Sequence, residues 1–163
     1  MSSILKVDTI QTTAGAAPTT KDLGFAGGAV IQVVQGALSS DVNYASSSTI
    51  EVLSVNITPK FNTSKILLMG NWGHYLNGST TTDRGDYVFR RDSTDIFRTG
   101  IGGFGYFRSS GYIKSMNNSH NYLDSPATTS SITYKLVHTV NTYGSGGTFG
   151  APLTNLTLLE ISQ

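Results

Sequence analysis

Ser131-Ile132-Thr133-Tyr134-Lys135-Leu136-Val137-His138-Thr139-Val140 is the stretch that decides the fold. Ile132, Tyr134, Leu136, His138 and Val140 fall on one side of an extended chain, and Thr133, Lys135 and Thr139 on the other, because successive side chains of a strand point to opposite faces. This period of two marks a half-buried strand. Working outward, the same character recurs in short stretches separated by turn formers, at 29–35, 49–57, 65–75, 87–91, 96–99, 106–108, 111–116, 121–123 and 153–161. Asn77-Gly78 reads as a turn, and Asp92-Ser93-Thr94 as the tip of a hairpin whose Tyr87, Phe89 and Phe97 supply an inward face. A glycine-rich loop fills 100–105. Helical periodicity is sustained nowhere for three turns. The expected fold is therefore all-β, a jelly-roll-like β-sandwich of eight or more strands.

Composition agrees and narrows the function. The chain of 163 residues is rich in Ser, Thr, Asn and Gly, with 18 glycines, and 13% of its residues are charged. Eleven Lys and Arg stand against ten Asp and Glu, for a net charge of +1. Such a chain has no basic field to hold nucleic acid or anionic lipid. With no cysteine, disulfides, thiolate metal sites and cysteine nucleophiles are excluded. The first ten residues lack a continuous apolar core of the signal-peptide kind, and no run reaches the ~18 apolar residues of a membrane helix. Neither secretion nor membrane insertion is expected.

Residues 1–28 differ from the rest. Ile4, Leu5, Val7 and Ile10 precede a polar, small-residue linker, followed by Leu23, Phe25 and Gly27-Gly28. So few apolar side chains cannot offset an ordering cost of about 1 to 2 kcal/mol per residue, so the segment needs an outside partner. Fully extended, at ~3.3 Å per residue, it would reach roughly 90 Å. The division expected is an attachment arm and linker over 1–28 and a β-sandwich domain over 29–163.

The motifs that could carry chemistry are weak. Gly100, Gly102 and Gly105 match the spacing of a phosphate-binding loop, but no helix follows to aim backbone N–H groups at a phosphate. Arg84-Gly85-Asp86 spells an adhesive tripeptide and reads as a turn before the next strand. Asp83, Asp86, Asp92 and Asp95 could hold calcium or flank a glycosidic bond, yet Arg84, Arg90, Arg91 and Arg98 interleave with them and charge pairing accounts for the cluster. His74, His120 and His138 form no ligand pair. They read as core or interface histidines, His138 being the candidate for a trimer axis. Phe104, Tyr106, Phe107 and Tyr112, with Arg108, are core or subunit packing first and candidates for receptor or glycan contact second. No catalytic residue, metal site or cofactor is assigned.

A resemblance joins these pieces. Ser2-Ser3-Ile4-Leu5-Lys6-Val7-Asp8-Thr9-Ile10-Gln11, with Ala14-Gly15, Pro18-Thr19 and Asp22-Leu23-Gly24, resembles the N-terminus of small tail-fibre and other virion structural proteins of bacteriophages, particularly those of cyanobacteria and other aquatic bacteria. Val30-Ile31-Gln32-Val33-Val34-Gln35, Ile57-Thr58-Pro59 with Ser64-Lys65-Ile66-Leu67, Tyr122-Leu123-Asp124-Ser125-Pro126-Ala127 before Thr133-Tyr134-Lys135, and Leu156-Thr157-Leu158-Leu159-Glu160-Ile161 continue it in order. The resemblance implies a non-enzymatic virion protein assembled in the host cytoplasm. Its arm, through Ile4, Leu5, Val7, Ile10, Leu23 and Phe25, would attach to tail or capsid proteins. Its β-domain would project as a homotrimer for host adsorption, with host-surface glycan as a candidate partner. The layout is also similar to the trimeric jelly rolls of the tumour-necrosis-factor and complement type. A capsid decoration or head-fibre protein is the alternative, and a stand-alone glycan-binding lectin the second.

Overall fold

A computed structural model describes residues 27–44, 49–77, 85–99, 113–140 and 147–163. Nine strands are formed by these residues: β1 (Val30–Ala37), β2 (Val42–Tyr44), β3 (Thr49–Ile57), β4 (Lys65–Asn77), β5 (Gly85–Arg91), β6 (Thr94–Arg98), β7 (Ile113–Asp124), β8 (Ile132–Val140) and β9 (Gly147–Ile161). No helix occurs among the described residues. One antiparallel sheet, the first, runs β1-β9-β4-β7, with β2 also on β9; the second runs β3-β8-β5-β6. With the short β2 set aside and the other eight strands numbered in order, the first sheet reads first, eighth, third, sixth. The second reads second, seventh, fourth, fifth. This interleaving of two four-stranded sheets defines a jelly roll, as the alternation of β8 led us to expect.

The two inner faces supply the core. Ile132, Tyr134, Leu136 and His138 of β8 are buried, and they pair across the second sheet with Tyr87 and Phe89 of β5 and with Ile57, Val55 and Leu53 of β3. Ile66, Leu68 and Trp72 of β4 and Leu156 and Leu158 of β9 face them from the first sheet. Gly70 sits among these large side chains for a steric reason. A Cβ there would stand 2.8 Å from Phe89 Cζ, so the absence of a side chain lets the ring lie flat against β4. Val137 looks away from the core and is buried nonetheless, paired with buried Val88 and flanked in register by Arg98 and Glu51. Long side chains can cover apolar neighbours with their aliphatic stems.

Three expectations about elements change. β2 pairs with 147–149, although its three residues carry no periodic signal. The stretches 111–116 and 121–123 are parts of one strand, β7, whose polar centre Asn117-Asn118-Ser119-His120 keeps its ladder to β4 through Gly73, Trp72, Asn71 and Gly70. β9 begins at Gly147 rather than at 153, and Gly150 pairs with Gly73. The stretch 106–108 lies outside the described residues. The chain enters β1 beside the end of β9, where Gly28 N–H donates to Ser162 O (2.7 Å) and Ser162 N–H to Ala29 O (2.9 Å).

Candidate functional site

The outward face of the first sheet differs from every other surface described. Cross-strand partners share a face, and the registers place Val33 opposite Leu159, Leu159 opposite Leu67, and Leu67 opposite Leu123. Four aliphatic side chains thus form one row across β1, β9, β4 and β7. Val33 is 60% exposed and Leu123 46%, with Leu67 and Leu159 half-buried between them. The next row is Gln35, Thr157, Met69 and Asn121, and the one beyond is Ala37, Asn155, Asn71 and Ser119. From the aliphatic row to Gly73 no described residue of this face is charged. Lys65, at its end, opposes Ile161.

The charges stand on the other side of the molecule. On the second sheet Lys135 Nζ pairs with Glu51 (2.8 Å), Arg90 Nε with Asp95 (2.7 Å), and Arg98 with both Asp86 and Asp95 (3.0 Å each). The hydrogen bond from Lys135 holds the Glu51 carboxyl below its ordinary range, and that from Arg90 does the same for Asp95. Asp86, in turn, pushes Arg98 up. Of the four carboxylates singled out by sequence, Asp86 and Asp95 are in these pairs. Asp92, at φ 52°, accepts the Thr133 N–H at 3.0 Å, and Asp83 lies outside the described residues. Among the described residues no three His, Asp or Glu side chains converge as metal ligands.

Where β9 passes through 151–154, its register against β4 shifts between Asn71 and Gly73. A cleft of about 290 Å³ lies there, lined by Asn71, Trp72, Asn117, Asn118, Ser119 and Leu153. Leu153 lies over Gly73 beside it, where a Cβ would come 3.2 Å from Leu153 and 3.4 Å from Asn117 Oδ1. Asn71 Nδ2 donates to Asn155 Oδ1 at 3.3 Å. Trp72 Nε1 and Asn118 Nδ2 are buried and have no hydrogen-bond partner. Sequence reading missed this cleft, because its asparagines are spread over two strands and look like turn residues.

Two polar clusters lie inside the sandwich. His74 Nε2 is 2.7 Å from the Tyr44 hydroxyl and its Nδ1 2.6 Å from that of Tyr87, so a neutral ring donates to one tyrosine and accepts from the other. His74 stacks on Phe149 at 4.5 Å, and the His138 ring lies 5.1 Å away. Burial, then the neighbouring His138, pushes His74 down to about 3; burial pushes His138 down to about 4, the Asp86 backbone opposing weakly. Neither His138 nitrogen meets a partner in hydrogen-bond geometry. His138 is thus a core residue between the sheets and not a side chain presented to a trimer axis, because its face of β8 is the inward one. In the second cluster Asp124 accepts from Arg91 Nη1 (3.1 and 2.9 Å) and from the Tyr134 hydroxyl (2.7 Å), linking β7 to β5 and β8. Burial and this hydrogen bond push the Tyr134 hydroxyl up. Both clusters tie sheet to sheet, the first fully buried and the second with Arg91 partly exposed at its rim, which gives them a structural role.

Ile4, Leu5, Val7, Ile10, Leu23 and Phe25 of the arm lie outside the described residues, as do Phe104, Tyr106, Phe107, Arg108 and Tyr112, the glycines of 100–105 and Arg84. The sequence matches no protein-family model and no curated protein. Among solved structures the chain is similar to the VP2 subviral particle of infectious bursal disease virus, at 14% identity and a TM-score of 0.46, covering 80% of this chain and 32% of that one. It is also similar to the T13 viral particle of the same virus, at 13% identity and a TM-score of 0.48, covering 97% and 39%. The chain spans about a third of the length of these proteins. No helix among the described residues is long and apolar enough to cross a membrane.

Proposed function

We propose that this chain is a non-enzymatic structural subunit of a virion, a short tail fibre or fibre-like appendage. In this reading residues 1–28 anchor it to tail or capsid proteins, and the sandwich projects as a homotrimer toward the host surface. The observation that carries the reading is the row Val33, Leu159, Leu67 and Leu123, followed by a face that carries no charge among the described residues as far as Gly73. Exposed apolar surface of this kind marks contact with another protein. A face with a single charge among its described residues, Lys65, at its end meets its own copy with little repulsion, whereas the ion-paired second sheet keeps its hydration. The sequence resemblance to small phage virion proteins supports the choice of a virion over other assemblies. Incorporation tests it. With Leu5→Asp and Ile10→Asp together, the soluble chain should keep its fold and mass while its content in purified particles falls to background. Normal particle content would refute the arm as the anchor.

A further inference from the structure

The cleft between Leu153 and Asn117 stands apart from the aliphatic row. From Leu67 to Asn71 along β4 is four residues, roughly 13 Å at ~3.3 Å each, so copies that meet at the row can leave this end of the sheet open. The cleft's lining side chains on the outward face are Asn71, Asn117 and Ser119, each able to donate and to accept. Its wall is apolar, with Leu153 54% exposed over Gly73. Beside it the ring of Tyr75, 41% exposed, lies 3.7 Å from where a Cβ on Gly150 would stand. Gly73 and Gly150 are paired in register, so Leu153 and Tyr75 cover adjoining bare glycines on one face.

We propose that this cleft is a binding site for a neutral sugar ring. A hexose presents hydroxyls that each donate and accept around its rim, and C–H faces that pack on aromatic and aliphatic surface. The cleft offers polar partners beside the exposed Leu153, and the Tyr75 ring stands next to it. Its volume stands at the low end of the roughly 300 to 1,000 Å³ typical of small-molecule sites, which suits one ring rather than a long ligand. No cation among the described residues lines the cleft, and the Asp41 carboxylate accepts the nearby Ala151 N–H at 2.8 Å, an arrangement that turns away acidic sugars. A peptide that adds as a strand would need a free sheet edge, and β4 lies inside the sheet between β7 and β9. The site differs from the loop aromatics that the sequence suggests for glycan contact, and it does not depend on the virion reading.

The test is a titration of the full chain with galactose, glucose, N-acetylneuraminate and triglycine, followed through the NMR signals of the asparagine side-chain amides. A neutral hexose should shift the Asn71 and Asn117 signals with an affinity in the millimolar range, and the acidic sugar and the peptide should leave them in place. Asn117→Ala, at an exposed position that should not disturb folding, should weaken binding about tenfold, the effect of losing one good hydrogen-bonding group. The oligomer mass of Asn117→Ala should equal that of the wild type, so loss of sugar binding is separable from loss of assembly. No response to either hexose, an equal response to N-acetylneuraminate or triglycine, or unchanged affinity in Asn117→Ala would overturn the proposal.

Discussion

His74 and His138 show what burial does to single residues. Both titrate far below the ordinary histidine value, at about 3 and about 4, while in the unfolded chain each takes up a proton near pH 6.5. The unfolded state therefore binds more protons between those limits. The stability they contribute is complete above about pH 6.5 and is lost as the pH falls toward 4, at about 1.4 kcal/mol per pH unit for each histidine. Urea unfolding at pH 7, 6 and 5 should show this decline, and His138→Leu should remove about half of the slope. A slope equal to that of the wild type would contradict it. At the other end of the sandwich, Asp124→Ala strands Arg91 and the Tyr134 hydroxyl and should cost about 3 kcal/mol in the same assay. The alternation of β8 made the burial of Tyr134, Leu136 and His138 legible in the sequence. The partners were not legible, because Tyr44 reaches His74 from a short strand without a periodic signal, and Asp124 reaches Tyr134 across the gap between the two sheets.

Among the elements, legibility followed the strength of the apolar pattern. β3, β4 and β8 stand close to where their periodicity puts them. The centre of β7 is polar, and its strand identity comes from the β4 backbone that it pairs with, which no local pattern records. The start of β9, Gly147-Thr148-Phe149-Gly150, has the composition of a turn, yet it extends the ladder because β2 and β4 flank it. Close contact between elements sets the tolerance at Gly70. Gly70→Ala would drive a methyl to 2.8 Å from Phe89 and should cost about 1 to 3 kcal/mol in thermal or urea unfolding. The β5–β6 hairpin gives a contrary case. Its carboxylates Asp86 and Asp95 are already engaged by Arg90 and Arg98. Millimolar calcium should leave the melting temperature of the chain unchanged, since a ligand that binds only the folded state must raise it. A rise of several degrees would show that the carboxylates prefer the metal.

For the whole molecule, two sheets with unlike outer faces are the feature that connects fold to use. One face holds the ion pairs and the other an aliphatic row followed by amides. The jelly roll itself could be foreseen from strand count and alternation. The row could not, because Val33, Leu67, Leu123 and Leu159 become neighbours only through the strand order β1-β9-β4-β7. If the row is where copies meet, an acid placed on it must lose its hydration to remain in the contact, which costs several kcal/mol. The most direct measurement is therefore the mass in solution by light scattering, for the full chain and for the double variant Leu67→Asp, Leu159→Asp. At micromolar concentration the wild type should have the mass of three chains of 17.4 kDa, and the variant that of one, with the circular dichroism of the β-sandwich unchanged. A wild-type monomer, or a variant that assembles like the wild type, would contradict self-association through this face.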